Sequence, residues 1–195
     1  MQKESQCSKA SVSLTAIKRT RANWRNDGRS FQTRIETVLL QYQSKGLLRC
    51  KKVDPPVKVL GFGKARRVIF LRNPFLDYVG TWTESGGRAV FFEAKSTSEP
   101  RLPFGGGAGV TADQLQVMKL WAQAGAAVFG LWEWRNNGVR FLTLHNFQAA
   151  DSCGSKSIKW GSQESGALVS AGTGFVLFDF LDNMRFTFGN RASAP

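Results

Sequence analysis

The chain has 195 residues, which is enough for one domain of ordinary size with a buried core. Its 27 Lys and Arg residues against 14 Asp and Glu give a formal net charge of +13, which favours a polyanionic partner, most often nucleic acid. Three widely spaced cysteines without a CxxC pair, together with a single histidine, exclude the usual Cys/His zinc sites and favour a reducing compartment. The sequence has no apolar run of transmembrane length.

Residues 1–28 are polar and basic without a sustained hydrophobic period, so we expect a disordered basic arm ahead of a folded domain at residues 29–190. An arm that contacts DNA is the favoured interpretation, and an organelle-targeting transit peptide is the alternative. Ser30 is placed to cap a helix that ends at Gly46. That helix carries an apolar stripe at helical spacing, formed by Phe31, Ile35, Val38, Leu39 and Tyr42.

A basic segment follows at residues 54–75. A strand predicted over residues 47–53 ends at Pro55-Pro56, since proline cannot donate to a ladder. Two β-type pieces then flank the letters GFGKAR, so we expect a hairpin-like insertion. Between Lys45 and Arg72 lie nine basic residues and one acid, which favours contact with nucleic acid over a general effect on solubility.

The next two predicted strands carry the candidate catalytic acids. A strand over residues 75–83 contains Asp77, a turn follows at Ser85-Gly86-Gly87, and a strand over residues 88–95 contains Glu93 and Lys95. An antiparallel register about this turn makes Asp77 and Glu93 direct cross-strand neighbours, with Cβ atoms roughly 4.5–5.5 Å apart. Glu93 and Lys95 are two residues apart and therefore lie on one face.

The second half of the chain predicts one helix and several strands. The letters PRLPFGGGAGV indicate a flexible loop, and Thr111 then begins a helix that Gly125 ends. An apolar strand over residues 126–132 returns over residues 139–144, and residues 148–165 resemble a loop. Residues 167–188 alternate weakly and end in FVLFDFLDNMRFTF, which predicts a strand or a short terminal helix. We expect Trp132 in the core and leave Trp134 open. The predicted fold class is α/β (α+β), with a mixed sheet and helices.

Two like charges on adjacent strands are unfavourable unless something offsets them. Mg²⁺ does so, because it binds one or two carboxylates, keeps several waters and shares phosphate oxygens. Lys95, on the same face, would then contact a phosphate or the attacking water. The pattern predicts metal-assisted phosphodiester hydrolysis, with Glu93 holding a metal rather than pairing with Lys95. The alternative for Glu93 and Lys95 taken alone is an exposed strand end.

The spacing of Asp77 and the letters EAK at 93–95 resembles the PD-(D/E)xK nuclease motif, and the surrounding text is more specific. The letters LDYVG and FFEAKST are similar to those of the bacterial RecU Holliday junction resolvases, as are GRSFQTRIE, KKVDPPVKV and TADQLQVMKLWAQAGAAVFGLW. KSIKW and LFDFLDNM extend the resemblance, which covers roughly residues 28–188.

The resemblance implies a restriction-endonuclease-like core with a protruding β stalk, here at residues 54–75 and shorter than usual in the family. It implies Mg²⁺, with Mn²⁺ as the alternative, held by Asp77, Glu93 and the Ala94 carbonyl. Lys95 would orient the nucleophilic water, and Glu36 would reach the metal directly or through water. The alternative for Glu36 is that it is an acid on the solvent-facing side of the helix.

Gln114 would lie near the same site by resemblance. Its alternative role is structural, because Thr111-x-x-Gln114 is a capping box. We expect that the cap and the site cannot both be fully satisfied.

The resemblance also implies a homodimer that cuts opposing strands of a four-way DNA junction in the cytoplasm of a bacterial or phage-infected cell, or in another reducing compartment that contains DNA. Phe62 would stack on an unpaired base or form a hydrophobic dimer contact. The residues expected at the DNA are Lys51, Lys52, Lys58, Phe62, Lys64, Arg66, Arg67 and Arg72. Two alternatives remain open: a nuclease of the same superfamily that acts on duplex or flap DNA, and a non-catalytic DNA-binding module.

Overall fold

A six-stranded mixed sheet organises the protein. The structure is a computed structural model that describes residues 21–54, 57–62, 66–70, 76–106, 109–135, 137–163, 166–171 and 180–189. Its elements in chain order are α1 (Arg21–Ser44), β1 (Leu48–Lys52), β2 (Val57–Leu60), β3 (Arg67–Phe70), β4 (Tyr78–Trp82), β5 (Arg88–Thr97), β6 (Arg101–Pro103), α2 (Ala112–Gln123), β7 (Ala127–Trp134), β8 (Gly138–Thr143), α3 (Leu144–Ser152), β9 (Ser157–Lys159), β10 (Ala167–Ala171) and α4 (Leu181–Phe188).

The strand order in the main sheet is β1-β4-β5-β7-β8-β10. Neighbours are antiparallel except β5 and β7, which run parallel and are connected through α2. Parallel neighbours need a crossover connection, and a helix supplies it here. The predicted fold class, a mixed central sheet flanked by helices, is confirmed.

Each face of the sheet buries its own apolar core. On one face, α1 and α4 pack against alternate strand residues such as Tyr78, Phe92 and Phe129. On the other face, α2, α3 and a two-stranded ribbon of β6 and β9 pack against Phe91, Val128 and the neighbouring residues of β7. Because strand side chains alternate between faces, the two faces of β5 belong to different layers.

Helix α1 confirms the predicted apolar stripe and corrects its start. The five stripe residues are buried, and Gly46 follows the helix with a φ of 69°, in the left-handed region that favours glycine. The helix begins at Arg21 instead of Ser30, so it includes residues 21–28 of the segment expected to form a basic arm. Asn26-Asp27-Gly28 are poor helix formers, but each residue added to an existing helix adds a hydrogen bond at little cost in nucleation. Residues 1–20 lie outside the described residues.

The hairpin that carries the candidate acids has the predicted register. Tyr78 pairs with Phe92 and Trp82 with Arg88, and the turn after β4 contains Gly86 and Gly87, both with positive φ. Val53 N–H also donates to the Asp77 carbonyl at 2.8 Å, which continues the ladder between β1 and β4 to Asp77. The backbone of Asp77 is therefore held on the β1 side, and Tyr78 next to it is paired with β5.

Two predicted loops contain regular structure. The Gly/Pro-rich segment after β5 includes β6, which pairs with β9 across 56 residues of sequence, and residues 148–165 include most of α3 and all of β9. Strands of three residues are too short for a periodic signal, and their pairing depends on a distant partner. At the end of the chain, where a strand or a short terminal helix was expected, residues 181–188 form the helix α4, and β10 precedes it. Trp132 and Trp134 are both buried.

Strands β2 and β3 form a separate antiparallel hairpin in the basic segment. All four residues of β2 are exposed, although successive side chains point to opposite faces, so this strand is solvated on both sides. Phe62 at the tip is 96% exposed. Among the helices of the described residues, none is long and apolar enough to cross a membrane.

Candidate active site

Asp77 and Glu93 meet at the end of the β4–β5 hairpin, on the face of the sheet that α2 covers. The Asp77 N–H donates to Glu93 Oε2 at 3.2 Å, and the Ala94 N–H donates to Asp77 Oδ2 at 3.1 Å. This reciprocal pair holds both carboxylates side by side. The predicted cross-strand position of the two acids therefore agrees with the backbone register.

Glu93 is the one charged residue among the described residues that is fully buried, with 0% exposure. Burial, followed by the negative charge of Asp77, raises the pKa of Glu93 to about 7, although Lys95 acts in the opposite direction. Because a buried carboxylate lies beside a second carboxylate, a positive charge at this point would stabilise the ionised form of both.

Lys95 supplies part of that charge. Its Nζ lies 2.5 Å from Glu93 Oε1 while its side chain remains 31% exposed. Burial alone would lower the pKa of Lys95, but the charges of Glu93 and Asp77 outweigh burial and raise it. Glu93 and Lys95 are thus paired in this structure. The interpretation that Glu93 holds a metal in the working enzyme stays a prediction.

Gln114 takes both of its proposed roles, which corrects the expectation that they compete. Its Oε1 accepts from the Thr111 N–H at 3.0 Å, and Thr111 Oγ1 accepts from the Gln114 N–H at 3.2 Å, so the capping box is complete. Its Nε2 simultaneously donates to Glu93 Oε1 at 2.5 Å. A carboxamide has a separate acceptor and donor, so the cap uses one end and Glu93 the other.

Replacing Gln114 should therefore have two effects, which a comparison with the Thr111→Ala variant can separate. We expect Gln114→Ala and Thr111→Ala each to destabilise the fold by about 1 kcal/mol through loss of the cap. Only Gln114→Ala should also lower the cleavage rate, because only that change removes a hydrogen bond from Glu93. Thermal unfolding and single-turnover cleavage of both variants measure the two effects, and equal cleavage by both would contradict a role at Glu93.

Trp132 closes the other side of Glu93, which the sequence did not indicate. Gly130 is the partner of Glu93 in β7, and a Cβ at Gly130 would lie 2.4 Å from Trp132 Cζ3. The indole thus covers the backbone beside Glu93 and helps to exclude water from it. A glycine two residues before a tryptophan, on the strand next to Glu93, is the sequence signal that could have indicated this packing.

Glu36 lies on α1, in the layer on the opposite face of the sheet, and is exposed. Tyr78 is buried, and burial raises the pKa of its hydroxyl, with the charges of Glu36 and Asp77 adding to the effect. Both acids thus act on one hydroxyl at the same end of the sheet. Ligation of a metal by Glu36, directly or through water, stays a prediction.

A polar network beyond Lys95 joins α1 to the ends of β5 and β7. Arg34 forms an ion pair with Glu133, Ser96 Oγ donates to Glu133 Oε2 at 2.6 Å, and Arg135 Nε donates to Ser96 Oγ at 3.1 Å. Arg34 and Glu133 are 99 residues apart, so no local pattern reveals the pair. The network fixes the strand immediately after Lys95.

The residues expected at the DNA divide between the sheet edge and the hairpin. Lys51 is exposed on the edge strand β1, and Lys52 Nζ donates to Gln32 Oε1 at 2.9 Å. In and beside the β2–β3 hairpin, the exposed members are Lys58, Phe62, Arg66 and Arg67. Lys64 and Arg72 lie outside the described residues.

A divalent cation fits the donors at this site. Asp77 and Glu93 provide two carboxylates. The pKa of Glu93 is raised by burial and then by repulsion from Asp77, and a cation would relieve that repulsion. Within the described part of the chain, no three His, Cys, Asp or Glu side chains form a metal-binding group. Mg²⁺ is suited to such a sparse set, since it uses one or two carboxylates and retains several waters. The Ala94 carbonyl as a further ligand stays a prediction.

A comparison with protein families agrees with the resemblance seen in the sequence. The family model described as recombination protein U (RecU) matches residues 26–184. Among solved structures, the chain is similar to Hjc, a Holliday junction resolvase from Archaeoglobus fulgidus, with 20% identity, 58% of this chain and 78% of that chain covered, and a TM-score of 0.36. No curated protein matches the chain significantly.

Proposed function

Because this chain belongs to the recombination protein U family, we propose that it resolves four-way DNA junctions by metal-dependent hydrolysis at Asp77, Glu93 and Lys95. The membership makes the chain an endonuclease of the Holliday junction resolvase class, as the resemblance predicted. The site assignment is carried by two reciprocal hydrogen bonds between adjacent strands. The Asp77 N–H donates to the Glu93 side chain, and the Ala94 N–H donates to the Asp77 side chain.

In this proposal Asp77 and Glu93 hold Mg²⁺, with Mn²⁺ as the alternative, and Glu36 contributes through water. When bound, the ion would lower the pKa of a coordinated water and offset charge on the phosphate. The support is the pair of adjacent carboxylates, one fully buried, whose mutual repulsion a divalent cation would relieve.

The side chains of this chain then have distinct tasks in the hydrolysis. The oxygen of a water attacks phosphorus, one P–O ester bond breaks, and the proton of that water passes to the leaving oxygen. Lys95 Nζ orients the water or stabilises the charge that develops on phosphate, since its raised pKa keeps it protonated at neutral pH. Gln114 holds the Glu93 carboxylate in place, and Trp132 excludes bulk water beside it.

The β2–β3 hairpin is proposed to contact the DNA beside the site. Lys58, Arg66 and Arg67 are exposed, and exposed cations on a strand that is solvated on both faces suit phosphate binding. Phe62, at 96% exposure, presents its ring to an unpaired base, for which stacking is worth about 1–3 kcal/mol. A hydrophobic contact between the two copies of a homodimer is the alternative for Phe62.

Cleavage of a substrate series tests the proposed specificity. Wild-type protein with Mg²⁺ should cut a mobile four-way junction faster than a flap or a linear duplex of the same sequence by at least tenfold. Equal rates on all three would favour a general duplex or flap nuclease that uses the same residues. Tight binding without metal-dependent cleavage of any substrate would favour a non-catalytic DNA-binding module.

A further inference from the structure

The β6–β9 ribbon carries two cations directly opposite each other. Arg101 on β6 and Lys159 on β9 are cross-strand partners, and both are exposed. Like charges in this position are unfavourable in the isolated protein. Arg101 Nη1 donates to Ser157 Oγ at 3.1 Å, which directs the guanidinium along the ribbon. Within the residues that the structure describes, neither cation forms an ion pair with a carboxylate.

The packing of the ribbon fixes the direction of these two side chains. Leu102 and Ile158, the next pair along the ribbon, are 2% and 1% exposed and belong to the core under α2 and α3. Neighbouring strand residues point to opposite faces. Arg101 and Lys159 therefore both point away from the core. The buried pair Leu102 and Ile158 anchors the ribbon to the core beneath them.

The ribbon also lies at the same end of the sheet as Lys95. Trp160, next to Lys159, packs edge-on against Trp134 with ring centroids 5.4 Å apart, and Trp134 is the partner of Thr97 at the end of β5. Arg101 lies six positions after Lys95 in the chain, so their backbones are at most about 20 Å apart. A DNA strand spans that distance in about six nucleotides.

We propose that Arg101 and Lys159 bind backbone phosphate of the DNA arm that leaves the active site on the side of the ribbon. This inference rests on the proposed nuclease function and adds a second DNA contact, separate from the β2–β3 hairpin. The ligand is the phosphodiester backbone, whose negative charges offset those of the two cations and reduce their repulsion. Lys156, the other exposed cation beside the ribbon, is already paired with Asp151 and is not part of this contact.

The salt dependence of DNA binding tests the proposal. Each phosphate contact contributes about 0.9 to the slope of log affinity against log salt. In an Asp77→Asn background, adding Arg101→Ala and Lys159→Ala should reduce the magnitude of this slope by about 1–2. The reduction should be the same for a four-way junction and for a linear duplex. When KCl is raised from 50 to 200 mM, the affinity of both proteins for DNA falls. The factor by which it falls should be about 3 to 12 times smaller for the double variant than for its parent.

Two controls make the result decisive. Lys119→Ala removes an exposed cation from the second half of α2, which leads to the start of β7 at the end of the sheet away from Lys95, and should leave the slope unchanged. Arg101→Lys keeps the charge and should keep the slope. The melting temperature of the double alanine variant should not fall, because it removes like charges.

An unchanged slope in the folded double variant would overturn the ribbon contact while leaving junction cleavage by wild type intact. Failure of wild type to cut a junction would instead overturn the proposed function, and the slope on linear duplex would still report on the ribbon.

Discussion

Asp77→Asn should reduce cleavage of a four-way junction by about 10³-fold or more while leaving DNA binding intact. The change removes one of the two carboxylates proposed to hold the metal. It keeps an oxygen that can accept from the Ala94 N–H, so the reciprocal contact with β5 is preserved. Binding should be equal or slightly tighter, because one negative charge facing the phosphates is lost. Single-turnover cleavage and equilibrium binding to the same labelled junction measure both effects.

Asp54→Asn is the matched control. Asp54 is exposed just after β1, and the change removes the same charge from the same end of the sheet. Its cleavage rate should stay within about twofold of wild type, because a surface charge away from the site contributes little. Substantial Mg²⁺-dependent cleavage by Asp77→Asn would show that Asp77 is not part of the active site.

Glu93→Gln should abolish cleavage and also remove a pH dependence of stability. The folded pKa of Glu93 is raised from 4.5 to about 7, so the folded state holds a proton that the unfolded state has lost. Stability is therefore fully present below pH 4.5 and is lost as pH rises towards 7. At about 1.36 kcal/mol per pKa unit, the wild type should lose roughly 2–3 kcal/mol between pH 5 and pH 8 without divalent metal. Glu93→Gln should lack this loss.

Chemical denaturation at several pH values, in chelator, measures the difference between wild type and Glu93→Gln. Mg²⁺ at pH 8 should restore stability to wild type but not to the variant, because only wild type presents the paired carboxylates. Glu99→Gln, an exposed residue just beyond β5, should behave as wild type in both conditions. A pH dependence that persists unchanged in Glu93→Gln would show that another group titrates.

The sequence predicts the acid pair well because its geometry is local. The turn at Gly86-Gly87 sets the register of a hairpin, and the register alone places Asp77 opposite Glu93. The alternation of Phe91 and Phe92 between two faces follows from the same two-residue period. These features need no information from distant parts of the chain.

The parts that the sequence did not predict depend on distant pairs. Arg34 finds Glu133 across 99 residues, and β6 finds β9 in a segment whose composition suggested only a loop. The double role of Gln114 likewise appears only when α2 is placed over Glu93, since a capping motif alone gives no information on the free end of the amide. Short strands and long-range ion pairs leave no periodic signal, so tertiary packing decides them.

Cleavage of a mobile four-way junction, labelled on each strand in turn, tests the central claim most directly. With Mg²⁺, wild type should make symmetric nicks in two opposing strands and release two nicked duplexes, while Asp77→Asn binds the junction without cutting it. Unpaired cuts at unrelated positions, or equal cleavage of a linear duplex, would contradict junction resolution. Cleavage by Asp77→Asn at the wild-type rate would contradict the active site itself.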